Sequence, residues 1–329
     1  MKSLKYCAFF VASLLLVSTL ALASDSSADS SSEPIAAAIP DTERTDFGTT
    51  PEALEQLTVD AARRTIGELD WHTSYSAAYR QARDEGKMLF LFFRDDNNPH
   101  VADVYEREVL AGDELSEPLS NMVRAVLPLD CRRPFRVPDQ LDLTLLSHSS
   151  FKFMYGRQGI AMIDLSDAAS ELHGHVVSAH PFTPGKHYTA RGTKIVLGLP
   201  RGTVTQRALI YAVRLHPAAP LSTTDGRCHD YLCKQAQNSS KLMAAYGSVG
   251  HHDWGTRYGE IAAQTGKSAQ EVAAMAGNRA LIEAAIEVVD QWYGSPSHWG
   301  IMSSPASIFG YDLVRDPAGN WWGTGLFAN

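Results

Sequence analysis

The run Met88-Leu89-Phe90-Leu91-Phe92-Phe93 constrains this chain more than any other segment. A strand with one face in water alternates apolar and polar residues, so an unbroken apolar run of this length needs cover on both faces. It predicts a fully buried strand of a parallel or mixed sheet. Residues 71–85 predict a helix before it, closed by Gly86 in the left-handed cap position. After it come a polar loop at 94–100, a helix over 101–110, and apolar strands at 123–129 and 159–165. Residues 176–177 and 195–197 are further strand candidates, and 51–69 has helical character. Strands alternating with helices give an α/β layer fold.

The amino terminus points to a compartment. Lys2 and Lys5 precede an apolar stretch from Tyr6 to about Leu22, and Ala21-Leu22-Ala23 offers the small residues of a cleavage site. This is the three-part pattern of a secretory signal, so residues 1–23 are expected to be removed and the protein to be secreted or periplasmic. No other run approaches spanning length, so no transmembrane segment is expected in the mature chain. Residues 24–50 open with Ser and Asp in most positions and read as a disordered tether. The net charge of -8 argues against a nucleic-acid partner. Four cysteines are too few for a disulfide-dense scaffold.

In the second half, residues 203–215 predict a helix, and 217–227, with Pro, Ser, Thr and Gly, reads as a linker between domains at 51–216 and 228–329. A helix over Asp230–Tyr246 ends at Gly247. Cys228 and Cys233 sit at its start and could close a small disulfide loop. Ser268-Ala269-Gln270-Glu271 fits a capping box and predicts a short helix after Ser268. A long amphipathic helix follows at 278–293, then strands at 308–314 and 321–327 joined by a turn at 316–320. His173, His175, His180 and His187 lie close enough in sequence to gather a metal, without a regular ligand pattern.

Two resemblances become specific at these residues. The order Trp71, helix, Gly86-Lys87, apolar strand, loop and Glu106-Arg107-Glu108-Val109-Leu110, then Gly159-Ile160-Ala161-Met162-Ile163-Asp164, resembles secreted thioredoxin-like proteins over residues 69–178. Redox members need a Cys-x-x-Cys at the strand-to-helix turn, facing a cis-proline. Here the turn reads Arg94-Asp95-Asp96-Asn97-Asn98-Pro99-His100-Val101, and Ala161 stands at the proline position. Dithiol oxidoreductase activity is therefore not expected. Asp95, Asp96 and His100 form either a metal or acid–base cluster or a solvated turn. Cys131 is either a lone reactive thiol or a small buried residue.

Residues 228–329 resemble the CAP superfamily, of the cysteine-rich secretory and pathogenesis-related-1 type. The residues that carry this are Trp292-Tyr293-Gly294-Ser295-Pro296-Ser297-His298, Phe309-Gly310-Tyr311-Asp312 and the stretch 321–327. The resemblance implies an α-β-α sandwich with a central cleft of histidines and acids. The family's earlier histidine falls on His251 or His252, and its Gly-Glu-Asn motif on Gln270-Glu271-Val272. The second acid of the family's tetrad is absent at Gly294-Ser295. The whole order also resembles secreted bacterial proteins of planctomycete type.

The fold expected is thus α/β and α+β, a thioredoxin-like layer domain followed by a compact CAP-like sandwich. The leading functional reading is an extracytoplasmic binding or scaffolding protein whose cleft takes a cell-envelope component, a sugar or a small apolar ligand. A second is a hydrolase using Zn²⁺ or another divalent metal on His251, His252, Glu271 and His298. In a metal-free version a histidine and Glu271 act as general base and acid. A third is a thiol protein using Cys131.

Overall fold

The computed structural model describes residues 63–132, 143–219 and 222–329. The signal, the tether and the helical reading of 51–62 lie outside these. β1 (Arg63–Ile66) and β2 (Leu69–His72) form an antiparallel hairpin, with Gly67 at φ 59 in its two-residue turn. The helical reading of 63–69, and of Trp71 as the start of the next helix, is corrected here. Pairing across the hairpin seats Trp71 in the core, and α1 (Tyr75–Glu85) begins only after Ser74, whose hydroxyl accepts from the Ala77 amide.

β3 (Leu89–Arg94), β4 (Val123–Pro128), β5 (Gly159–Ile163) and β6 (Val176–Pro181) complete a mixed sheet in the order β1-β2-β4-β3-β5-β6. β3 runs parallel to β4 and antiparallel to β5. Alternation along β3 divides the apolar run between two faces. Leu89, Leu91 and Phe93 pack with Tyr79 and Ala82 of α1. Phe90 and Phe92 pack with residues of α2 (His100–Tyr105), α3 (Asp113–Ser120), α4 (Ala190–Leu197) and α5 (Val204–Leu215). α2 continues as a π-helical turn, Glu106–Leu110. The strand candidate at 195–197 is the end of α4. Thr189 caps that helix at the Gly192 amide, and Thr193, Val196 and Leu197 fall on one buried face at helical spacing.

The second sheet has the order β7-β9-β10-β8, with β7 (Arg227–Cys228), β8 (Ala269–Ala276), β9 (Ile308–Arg315) and β10 (Trp321–Ala328). β7 is parallel to β9 and the other pairs are antiparallel. α6 (Asp230–Tyr246), closed by Gly247 at φ 64, supplies Leu232 and Ala236 against Leu326 and Ala328, and Met243 against Trp322. The alternate residues Trp321 and Phe327 face the cluster that holds Val288 and Trp292 of α8 (Leu281–Tyr293). The helix expected after Ser268 is a strand. All eight residues of β8 pair with β10, and this pairing overrides the local capping signal. No helix among the described residues is long and apolar enough to cross a membrane.

α5 packs against β6 of the first sheet and against β9 and α8 of the second, so one apolar interior continues through both. At this junction Thr205 and Gln206 donate to the carboxylate of Asp312 on β9, at 2.6 and 3.3 Å, and the Leu313 amide donates at 2.7 Å. Asp312 is wholly buried; burial drives its carboxyl up to about 6, against the pull of those donors and of Lys241. A raised folded value means the native state binds the proton more tightly than the unfolded chain. The resulting stabilisation is full below the unfolded value and lost as pH rises through about 6. Asp312→Asn should therefore gain about 3 kcal/mol relative to wild type between pH 3.5 and pH 7. Urea unfolding at a series of pH values reads this directly, and a gap independent of pH would refute it.

Candidate functional site

Asp253, at φ 54, turns the chain into α7 (Trp254–Thr265) in a left-handed conformation that aspartate tolerates. This turn sends the two preceding histidines in different directions. His251 reaches the buried end of β8, where its Nδ1 donates to Glu271 Oε1 at 2.9 Å. His252 turns back, with Nε2 donating to the Ser248 carbonyl at 3.0 Å and its ring 4.6 Å from that of Tyr246. His298 comes from α9 (Pro296–Met302), a separate short helix with Pro296 in its first turn, and does not cap α8. Its ring centroid lies 6.3 Å from that of His251.

Glu271 is held from a second side by Arg257. The guanidinium donates to both carboxylate oxygens, at 2.5 and 2.8 Å, and its Nε donates to the His252 carbonyl at 3.0 Å. The two side chains are 6% and 1% exposed. Burial alone would push the Glu271 carboxyl up. The hydrogen bonds from His251 and Arg257 and their charges outweigh it and hold the group below the usual carboxylate range. A carboxylate only accepts, so His251 Nδ1 carries the proton, and in the neutral ring Nε2 keeps the free lone pair. Burial, and then the neighbouring His251, lower the pKa of His298, which favours its neutral form.

The structure thus brings together His251, Glu271 and His298 and leaves His252 apart. Arg257 escapes a motif-based reading. Its signal was its spacing, because Trp254, Arg257 and Ile261 share one helical stripe that faces inward. An arginine on such a stripe needs an acid. Tyr246 and Tyr258 are exposed beside this turn, at 61% and 38%. Trp292, Trp321 and Trp322 are core.

The donor set does not fit a divalent metal. Both oxygens of Glu271 are engaged by a fixed cation, and His252 points elsewhere. Among the described residues no group of three or more His, Cys, Asp or Glu side chains is placed to hold a metal ion. His180 is buried against Tyr188 and Tyr211, and burial drives it down to about 3. Zinc retained after dialysis should accordingly fall well short of one equivalent by elemental analysis, with no change in His298→Ala. A full equivalent that His298→Ala removes would overturn this.

The remaining candidates resolve simply. Asp95 accepts from the Asn97 and Asn98 amides, which is turn chemistry, and Asp96 pairs with Arg94 at 2.5 Å. Arg94 also binds Asp103 and Glu106, and Glu106 is shared with Arg64. Burial, then the charge of Asp130, push the Cys131 thiol up to about 11, which leaves little thiolate at neutral pH. Cys228 and Cys233, which could close a small disulfide loop, stand with their sulfurs 3.6 Å apart. Compared with protein-family models, with curated proteins and with solved structures, the chain matches none.

Proposed function

We propose that this chain is an extracytoplasmic binding protein, in which a redox-inactive thioredoxin-like layer supports a CAP-like layer, and the cleft at His251 and His298 takes a hydroxyl-rich cell-envelope glycan. The observation that carries the reading is the clamp on Glu271. Arg257 and His251 consume the carboxylate, so Glu271 orients a ring rather than ligating metal or delivering protons. Two imidazole edges then remain to exchange hydrogen bonds with hydroxyl groups. The exposed rings of Tyr246 and Tyr258, on the two helices that flank the turn at Asp253, offer apolar faces of the kind a sugar ring requires.

The thioredoxin-like part of the proposal draws on β2, β4 and β3 running parallel beside antiparallel β5 and β6, covered by helices. At the turn where a dithiol would stand, Arg94 instead anchors an ion-pair network, which suits a scaffold. The export expected of residues 1–23 supports the placement outside the cytoplasm. Co-sedimentation with purified bacterial peptidoglycan tests the reading. The mature protein should pellet with it, and His298→Ala and Tyr246→Ala should stay in the supernatant. Wild type remaining in the supernatant would end the proposal.

A further inference from the structure

A second site, lined by other residues than His251 and His298, lies where the end of β6 and α5 meet the start of α8. There the structure forms a pocket of about 240 Å³ that opens to solvent on one side. One wall is aromatic: Phe182, Tyr188 and Tyr211, with successive ring centroids 5.9 and 6.0 Å apart. The other is aliphatic, from Leu215, Ile282 and Ile286. A cavity of roughly 150 Å³ already accommodates benzene, so this one holds a ring with a short chain attached.

The rim carries charge. Arg157 and Lys186 line it, both exposed, and among the described residues neither side chain makes an ion pair or hydrogen bond. Glu283 is the single acid among the lining residues, so the cations outnumber it. The lining also includes Ala280, the N-cap of α8, and the Tyr155 hydroxyl accepts from the Leu281 amide at 3.0 Å there. The amino end of this thirteen-residue helix adds positive potential on the same side. An apolar slot with a cationic mouth is complementary to an amphipathic monoanion.

We propose that this cavity binds a small carboxylic acid with an aromatic body, the ring seated against Tyr188 and Tyr211 and the carboxylate at Arg157 and Lys186. The probes are 3-phenylpropionate, 3-phenylpropanol and 3-phenylpropylamine, titrated calorimetrically into the mature protein. The acid should bind saturably, about fivefold or more tighter than the alcohol, with the amine weakest. Arg157→Ala with Lys186→Ala should bring the acid down to the alcohol's affinity and leave the alcohol unchanged. Both cations are exposed, so this variant should fold. Ile286→Trp fills the slot and should abolish binding of acid and alcohol alike, with its unfolding midpoint checked beside wild type.

Three results would overturn the proposal. One is no saturable binding of the acid up to about 10 mM. Another is an alcohol that binds as tightly as the acid. The third is acid binding that survives both variants unchanged.

Discussion

Glu271→Ala should lower the unfolding free energy by about 3–5 kcal/mol, because it leaves the guanidinium of Arg257 buried without its counter-charge. The cost comes from the stranded cation more than from the lost attraction. Glu271→Ala combined with Arg257→Met should therefore be less destabilised than Glu271→Ala alone, since a buried pair replaced by apolar groups is often near neutral. A double-mutant cycle in urea measures the coupling, and simple additivity of the two changes would contradict the pairing. The pH dependence has a definite sign. The folded carboxyl sits below its unfolded value, so its stabilisation is present above the unfolded range and is lost as pH falls through the folded one. Wild type and Glu271→Ala should accordingly converge in acid.

Arg207→Met should be as costly, about 3–5 kcal/mol, by a different route. Arg207 lies on α5, is 3% exposed and has no carboxylate in hydrogen-bond contact. Burial lowers its pKa to about 10, against the pull of the Asp164 charge. Its donors are all used instead. Nε serves Ser178 Oγ at 2.8 Å, Nη1 the Leu199 and Pro200 carbonyls at 3.0 and 2.8 Å, and Nη2 the Val196 carbonyl at 3.2 Å and the Met162 sulfur at 3.4 Å. These carbonyls end α4 and form the connection to α5, where a helix end leaves carbonyls short of internal partners. Methionine matches the length but donates nothing, so the Leu199 and Pro200 carbonyls lose these donors and the Val196 carbonyl keeps only a backbone amide, that of Leu199 at 3.4 Å. Arg207→Lys should restore only part of the loss, because an ammonium has three donors and no fork. A denaturation midpoint unchanged in Arg207→Met would refute this role.

Both residues show where sequence reasoning stopped. Local signals read well where one rule acted alone. The apolar run of β3 had no amphipathic alternative, and Gly86 and Gly247 end their helices at positive φ. The turn at Asp316 to Asn320 separates two strands that pair with each other. Reading failed where a distant partner decided. Glu271 carried a plausible capping signal, yet pairing with Leu326 of β10 made its segment a strand. Ile195 looked β-forming, but the cap at Thr189 and the cover it gives the first sheet made it helical. At the site, His251, Glu271 and His298 were legible as candidates from their motifs. Their geometry was not, since the clamp needs Arg257 from another helix, and the turn at Asp253 separates His251 from His252. Asp312 and Arg207 gave no local sign, because a buried charge is recognisable only once its surroundings are known.

The most direct measurement is an NMR titration of the His251 and His298 ring protons with soluble peptidoglycan fragments in metal-free buffer. Both resonances should move together and saturate without added zinc, and in Glu271→Gln the His251 shift should be lost or displaced because the ring is no longer oriented. If neither histidine responds, or if both respond only when zinc is supplied, the metal-free glycan cleft is wrong.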